Sequence, residues 1–190
     1  MFDVIFSVAA LIFLSPVLAL IALAVKFHDN GPILFRQVRV GRNGALFDCL
    51  KFRSMTPDAE AMLHIVIGQE WGETRKIRRD PRVTRLGRIL RLTSLDELPQ
   101  FVNVLRGDMS LVGPRPVIPD ETRLYGRWLA DYCSIRPGLT GLWQVSGRND
   151  LPYARRVAMD VWLARNLSLK VYLTLLLRTA PAVISRKGVY

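Results

Sequence analysis

The stretch Val4-Ile-Phe-Ser-Val-Ala-Ala-Leu-Ile-Phe-Leu-Ser15-Pro16-Val-Leu-Ala-Leu-Ile-Ala-Leu-Ala-Val25 is 22 residues long and carries no charge. As a helix it measures about 33 Å, enough to cross a hydrocarbon core of about 30 Å. A secretory signal fits poorly, because Asp3 stands where a basic leader is needed and no small-residue cleavage site follows. Pro16 removes one backbone donor near mid-run and clashes with the preceding turn, so a bend is expected there. The hydroxyl of Ser15 can satisfy the carbonyl that proline frees. On these residues a spanning path and a re-entrant path are both open. Lys26, Arg36, Arg39 and Arg42 follow the run, whereas Met1, Phe2 and Asp3 precede it. Positive charge retained on the cytoplasmic side puts the rest of the chain in the cytoplasm.

The whole chain has 190 residues, half of them apolar, and a formal charge of +11. That length suits one domain with a substantial core. Such a charge points to an anionic partner: nucleic acid, lipid headgroups or a phosphorylated ligand. Cys49 and Cys133 form no C-x-x-C pair, and His28 and His64 complete no zinc spacing, so two buried free thiols are expected.

Beyond the apolar run, Asn43-Gly44 between two β-prone segments predicts a hairpin over 32–53. Asp58 to Trp71 reads as helical. Residues 75–91 hold eight Arg or Lys against Asp80. Arg79, Arg82, Arg85, Arg88 and Arg91 recur every third position and would wind around a helix, in contact with anionic headgroups. With a hydrophobic anchor beside them, lipid is preferred to nucleic acid as their partner. A further helix is expected from about Thr93 to Arg106, closed by Gly107. Loops follow at Gly113-Pro-Arg115-Pro116 and at 136–149. Residues 151–187 read as one or two helices packed on the core or lying in the membrane interface.

Asp96-Glu97 is the constellation with the most chemistry. Ser94 and Glu97 also fit a capping box, with Pro99 in the first turn. A carboxylate at a helix N-terminus stays ionised, and the free N–H groups there attract phosphate. One carboxylate can then attack phosphorus while its neighbour handles a metal or a proton. Lys51, Arg53, Arg115, Arg136 and Arg148 supply cations in hairpin and glycine-punctuated loops, suited to a diphosphate. Magnesium is the natural ion to bridge Asp96 or Glu97 and phosphate oxygens. No G-x-x-x-x-G-K-[ST] occurs, which excludes a P-loop ATPase.

Four strings carry a resemblance: Lys51-Phe-Arg53-Ser-Met55, Thr93-Ser-Leu-Asp96-Glu97-Leu-Pro-Gln100, Gly107-Asp-Met-Ser-Leu-Val-Gly113-Pro-Arg115-Pro116, and Arg136-Pro-Gly-Leu-Thr-Gly-Leu-Trp-Gln144-Val-Ser-Gly-Arg148-Asn149. In this order, and with Ser15-Pro16 in the N-terminal run, the chain resembles the bacterial sugar transferases, monotopic phosphoglycosyl transferases. The resemblance implies an α+β, mainly helical fold with a re-entrant membrane helix over 1–27 broken at Ser15-Pro16. A β-hairpin, a helical catalytic domain and interfacial C-terminal helices would make up 28–190, on the cytoplasmic face of the bacterial inner membrane.

It further implies that Asp96 is the nucleophile toward a UDP-sugar, with release of UMP. Glu97 would assist at Mg2+, with both acids as metal ligands, and undecaprenyl phosphate would accept the hexose 1-phosphate. Lys51, Arg53, Arg115, Arg136, Gln144 and Arg148 would bind substrate. Partners are then the donor, the lipid carrier and inner-membrane lipids, with no nucleic acid and a homodimer left open. The variant around Trp143-Gln144 looks most like members that transfer galactose or glucose phosphates at the start of exopolysaccharide or O-antigen synthesis. Two departures stand out. Lys170, Val171 and Tyr172 occupy a stretch where many members carry an acid, and Leu163 stands where an aromatic is common.

Overall fold

The computed structural model describes residues 2–59, 61–62 and 80–185. The helix expected over Asp58–Trp71 and the basic residues 75–79 therefore lie almost wholly outside the described residues. The remainder is mainly helical with two small sheets, as the α+β reading expects.

Helix α1 runs through the apolar stretch from Phe2 to Asp29. Pro16 lies inside it, and the Ser15 hydroxyl donates to the Ile12 carbonyl at 2.8 Å, the group that proline leaves without its partner. Most of α1 is exposed, including Ile12, Phe13, Leu20 and Phe27, so water is not its solvent. Ile21 and Val25 on its C-terminal half are buried against Phe52 and Leu90.

Strands β1 (Leu34–Val40) and β2 (Leu46–Phe52) form the expected antiparallel hairpin. Its turn places Asn43 at φ 57° and Gly44 at φ 75°, the left-handed region that these two residue types tolerate. Helix α2 spans Arg85–Thr93, with Thr84 as its cap accepting from the Gly87 N–H. The single helix expected over 93–106 is divided. Ser94 takes φ 57° and ends α2, Leu95–Glu97 make one 3-10 turn, and α3 runs from Gln100 to Arg106. No capping box forms, because Ser94 is spent as a left-handed terminator of the preceding helix. Gly107 closes α3 at φ 84°, as its position predicts.

Asn103 fixes α3 against the hairpin. Fully buried, it accepts from the Leu50 N–H at 2.9 Å and donates to the Asp48 carbonyl at 2.7 Å. Strands β3 (Ser110–Val112) and β4 (Gly138–Thr140) pair in parallel, and between them lies α4 (Leu129–Cys133). Helices α5 (Leu142–Ser146), α6 (Tyr153–Asn166) and α7 (Leu169–Ser185) complete the chain. On α7, Leu175 and Leu176 pack inward while Leu169, Leu173, Leu177 and Ile184 form an exposed apolar stripe.

The basic run also differs from its expected helical spiral. Arg85 and Arg88 face outward on α2. Arg82 precedes the helix, buried and bound to Asp80, and Arg91 turns inward to donate to the Ser54 hydroxyl at 2.9 Å. The three-residue spacing continues across a turn, so it does not describe one helical surface.

Candidate active site

The 3-10 turn Leu95–Glu97 packs against α2 and β2, and it brings Glu97 to the wall of a narrow cleft with Asp96 buried next to it. Arg39, Cys49, Lys51, Glu97, Gln100, Arg115 and Gln144 line that cleft. Because Asn103 locks β2 to α3, Lys51 Nζ comes to 2.6 Å from Glu97 Oε1. Arg115 Nη1 approaches the same oxygen at 3.6 Å. Glu97 is thus gripped by two cations from segments far apart in sequence.

Asp96 is the buried member of the pair, 8 % exposed. Burial, and then the charge of Glu97, push its carboxyl up to about 6, against the pull of Lys51, Arg91 and Arg115. A fully ionised helix-terminal carboxylate was expected, and burial on a 3-10 turn overrides that. Near neutral pH most of Asp96 is still anionic and poorly solvated, a state suited to a nucleophile.

The cations divide into those that join the cleft and those that do not. Arg115 is half-buried; burial works against its charge, and Glu97, Glu121 and Asp96 outweigh it and keep it firmly protonated. Gln144 lines the cleft, donating to the Leu139 carbonyl at 3.2 Å while its buried Oε1 has no hydrogen-bond partner. Arg148, at φ 51°, donates to the Gln144 carbonyl and lies within the field of Glu97. Arg136 is exposed and lies outside the cleft, its guanidinium near Gly107.

Arg53 is also outside. It is 7 % exposed, ion-paired with Asp29 at the end of α1, and donates to the carbonyls of Pro32 and Met55. All of its donor faces are turned to structure. Arg53→Ala is expected to destabilise the fold by about 2 kcal/mol, because it removes a buried guanidinium and its hydrogen bonds to the Pro32 and Met55 carbonyls. Where protein survives, the Michaelis constant for donor stays within about twofold. A large rise in that constant with unchanged melting would return Arg53 to the binding site.

Three residues in or beside the site escaped the sequence reading. Arg39 sits deep in the cleft, donating to the Pro116 carbonyl at 2.9 Å. Arg91 lies within the field of Asp96. Asp160 on α6 is 1 % exposed and accepts from Tyr125 and Trp143. The one available signal was helical spacing, since Arg156, Val157, Asp160 and Val161 share the buried face of α6. At one departure, the Tyr172 hydroxyl donates to Asp3 at 2.6 Å, so that position anchors the start of α1. Leu163 is fully buried beside Val112 and Leu175, where an aliphatic chain fills the space.

Among the described residues no three His, Cys, Asp or Glu side chains converge on one point. Two adjacent carboxylates nevertheless suit Mg2+, which binds through one or two protein oxygens and completes its shell with water and phosphate.

Residues 1–186 match the model of the family described as bacterial sugar transferase. The exopolysaccharide production protein ExoY of Sinorhizobium fredii is 48% identical over 100% of this chain and 86% of its own length. Undecaprenyl-phosphate galactose phosphotransferase of Salmonella typhimurium is 45% identical, again over the full chain but over only 41% of its own length. The UDP-glucose:undecaprenyl-phosphate glucose-1-phosphate transferase of Caulobacter vibrioides is 41% identical over 99% of this chain and 70% of its own.

Proposed function

The chain belongs to the bacterial sugar transferase family, and from that membership we propose that it transfers a hexose 1-phosphate from a UDP-sugar to undecaprenyl phosphate. The observation that carries the reading is a buried carboxylate, Asp96, beside a second acid that two cations grip. Relatives named for galactose and glucose phosphotransfer to this lipid support the substrate classes.

In the proposed reaction a carboxylate oxygen of Asp96 attacks the sugar-bearing phosphorus of the donor. The bond from that phosphorus to the bridging oxygen breaks, and UMP leaves with the electron pair. The hexose phosphate is then joined to Asp96. A phosphate oxygen of the lipid carrier attacks the same phosphorus, the bond to Asp96 breaks, and the free carboxylate returns. Lys51 and Arg115 neutralise the charge that builds on the phosphoryl oxygens, and Gln144 and Arg148 orient the donor. Asp96 and Glu97 would hold Mg2+, which supplies Lewis-acid neutralisation of the diphosphate when bound.

This site belongs at the cytoplasmic face of the inner membrane, beneath a re-entrant α1. The support is that both ends of α1 are tied to the same domain. Asp3 accepts from Ser110 Oγ and the Leu111 N–H at 3.1 Å and from Tyr172, while Asp29 pairs with Arg53. Moving the N-terminus to the far side would break the first of these ties. An N-terminal tag is expected to be reachable from the cytoplasm, and Ser15→Ala with Pro16→Ala should shift it toward the far side. Accessibility unchanged by that pair of substitutions would contradict a role for Ser15-Pro16 in the path of α1.

The direct test of function is incubation of purified protein with a panel of UDP-sugars, undecaprenyl phosphate and Mg2+, scoring UMP. Release from a UDP-hexose, lost on chelation, is expected; none from any donor rejects the reading.

A further inference from the structure

Asp160 is an acid buried to 1 % exposure on α6, and among the described residues no Lys or Arg forms an ion pair with it. Its Oδ2 accepts from the Tyr125 hydroxyl at 2.9 Å and from the Trp143 indole N–H at 3.2 Å. Its Oδ1 faces the backbone N–H of Arg115 at 3.4 Å. An acid so enclosed is costly, and burial pushes it up to about 7 against those hydrogen bonds. A fold keeps such a group where the orientation of its neighbours matters.

Two of those partners, the Arg115 N–H and the Trp143 ring, bear on one side chain, although Arg156 also lies 5.2 Å from the centre of the Trp143 ring. Arg115 stands between Pro114 and Pro116, each with φ fixed by its ring. Its carbonyl accepts from the Tyr132 hydroxyl at 3.2 Å, and its N–H points at Asp160. Its guanidinium lies 5.8 Å from the centre of the Trp143 ring, the indole whose N–H Asp160 holds. Asp160 therefore touches both the backbone origin of Arg115 and the surface that its charged end rests on. From there Arg115 reaches Glu97.

We propose that Asp160 is a positioning residue for donor binding: it holds the Arg115 backbone and the Trp143 ring in the arrangement that aims Arg115 into the cleft. It makes no contact with donor itself. The inference rests on the reading of Arg115 as a ligand of the donor's diphosphate.

The test is a double-mutant cycle on the full chain, with Asp160→Asn, Arg115→Ala and the pair. It is read as kcat/KM for UMP release, as affinity for UDP by calorimetry, and as melting temperature. Each single change is expected to lower kcat/KM and UDP affinity by about 10- to 30-fold, the span of one charged hydrogen bond. Because Asp160 acts through Arg115, the pair should lose no more than about twofold beyond Arg115→Ala alone. A purely structural Asp160 gives independent losses that multiply, or a lower melting temperature with kcat/KM intact, and either result overturns the proposal. Should Asp160→Asn fail to fold, Tyr125→Phe removes one hydrogen bond to the same carboxylate and goes through the same cycle, with a smaller loss expected and the same coupling. Protein that binds UDP yet turns over no UDP-sugar rejects the proposed reaction, and the cycle is then decided by UDP affinity. Wild-type protein that does not bind UDP rejects both.

Discussion

Asp96→Asn is expected to remove UMP release by about four orders of magnitude or more, and at the same time to stabilise the protein. The first effect follows from the loss of the attacking oxygen, since an amide does not replace a carboxylate toward phosphorus. The second follows from burial. The Asp96 carboxyl is raised from 3.8 to about 6 in the folded chain, so the folded state binds a proton more readily than the unfolded state does. Above pH 6 the folded protein bears the cost of a buried, ionised acid. As pH falls through 6 toward 4 the proton is taken up and that cost disappears.

Without divalent cation, Asp96→Asn should therefore gain about 2 kcal/mol over wild type at pH 8 and nothing below pH 4. Activity runs the other way. The wild-type rate should fall as pH drops, because protonated Asp96 is no nucleophile. Normal turnover in Asp96→Asn would reject the nucleophile. A lower melting temperature for the variant at pH 8 would reject the account of its burial. Enzymes commonly hold stability below its optimum at the reacting group, and in the proposed reaction that cost falls on the buried Asp96.

Gly138→Ala is expected to disrupt the fold. A Cβ at this position would lie 2.0 Å from the Gly113 nitrogen and 2.6 Å from the Thr140 carbonyl oxygen, both backbone atoms with no rotamer to yield. Strands β3 and β4 would have to part, and with them the hydrogen bond from the Gly138 N–H to the Pro114 carbonyl at 2.8 Å. A loss of about 3 kcal/mol or more is expected from such an overlap. Surviving protein should have little activity, since Gly113 and Pro114 lead directly into Arg115. Gly44→Ala is the contrast. It meets open space at φ 75°, so only the backbone strain of about 1 kcal/mol remains, with activity intact. Melting by circular dichroism separates the two, and a Gly138→Ala protein with wild-type melting and turnover would show that this close approach is dispensable.

Much of the molecule was legible before its coordinates. The uncharged run with Ser15-Pro16, the Asn43-Gly44 hairpin and the Gly107 cap each depend on preferences confined to a few neighbouring residues, and each is present. The adjacency of Asp96 and Glu97 is covalent, so it too was visible. The division of the 93–106 helix was not. The left-handed Ser94 competes with a good capping pattern, and it is spent on ending α2.

The fate of the cations lay furthest from view. Lys51, Arg53, Arg82, Arg91 and Arg115 look alike along the chain, yet the first and last grip Glu97 while Arg53 and Arg82 pair with the structural acids Asp29 and Asp80. The sequence by itself determined which segments are apolar, where the chain turns and that two acids stand together, because backbone preference and hydrophobic patterning act over short separations. Only the tertiary structure decided which charges meet, since a buried ion or hydrogen bond takes its partner from whatever packing brings within about 3 Å. Asp160 with Tyr125, and Asp3 with Tyr172, were joined by folding alone.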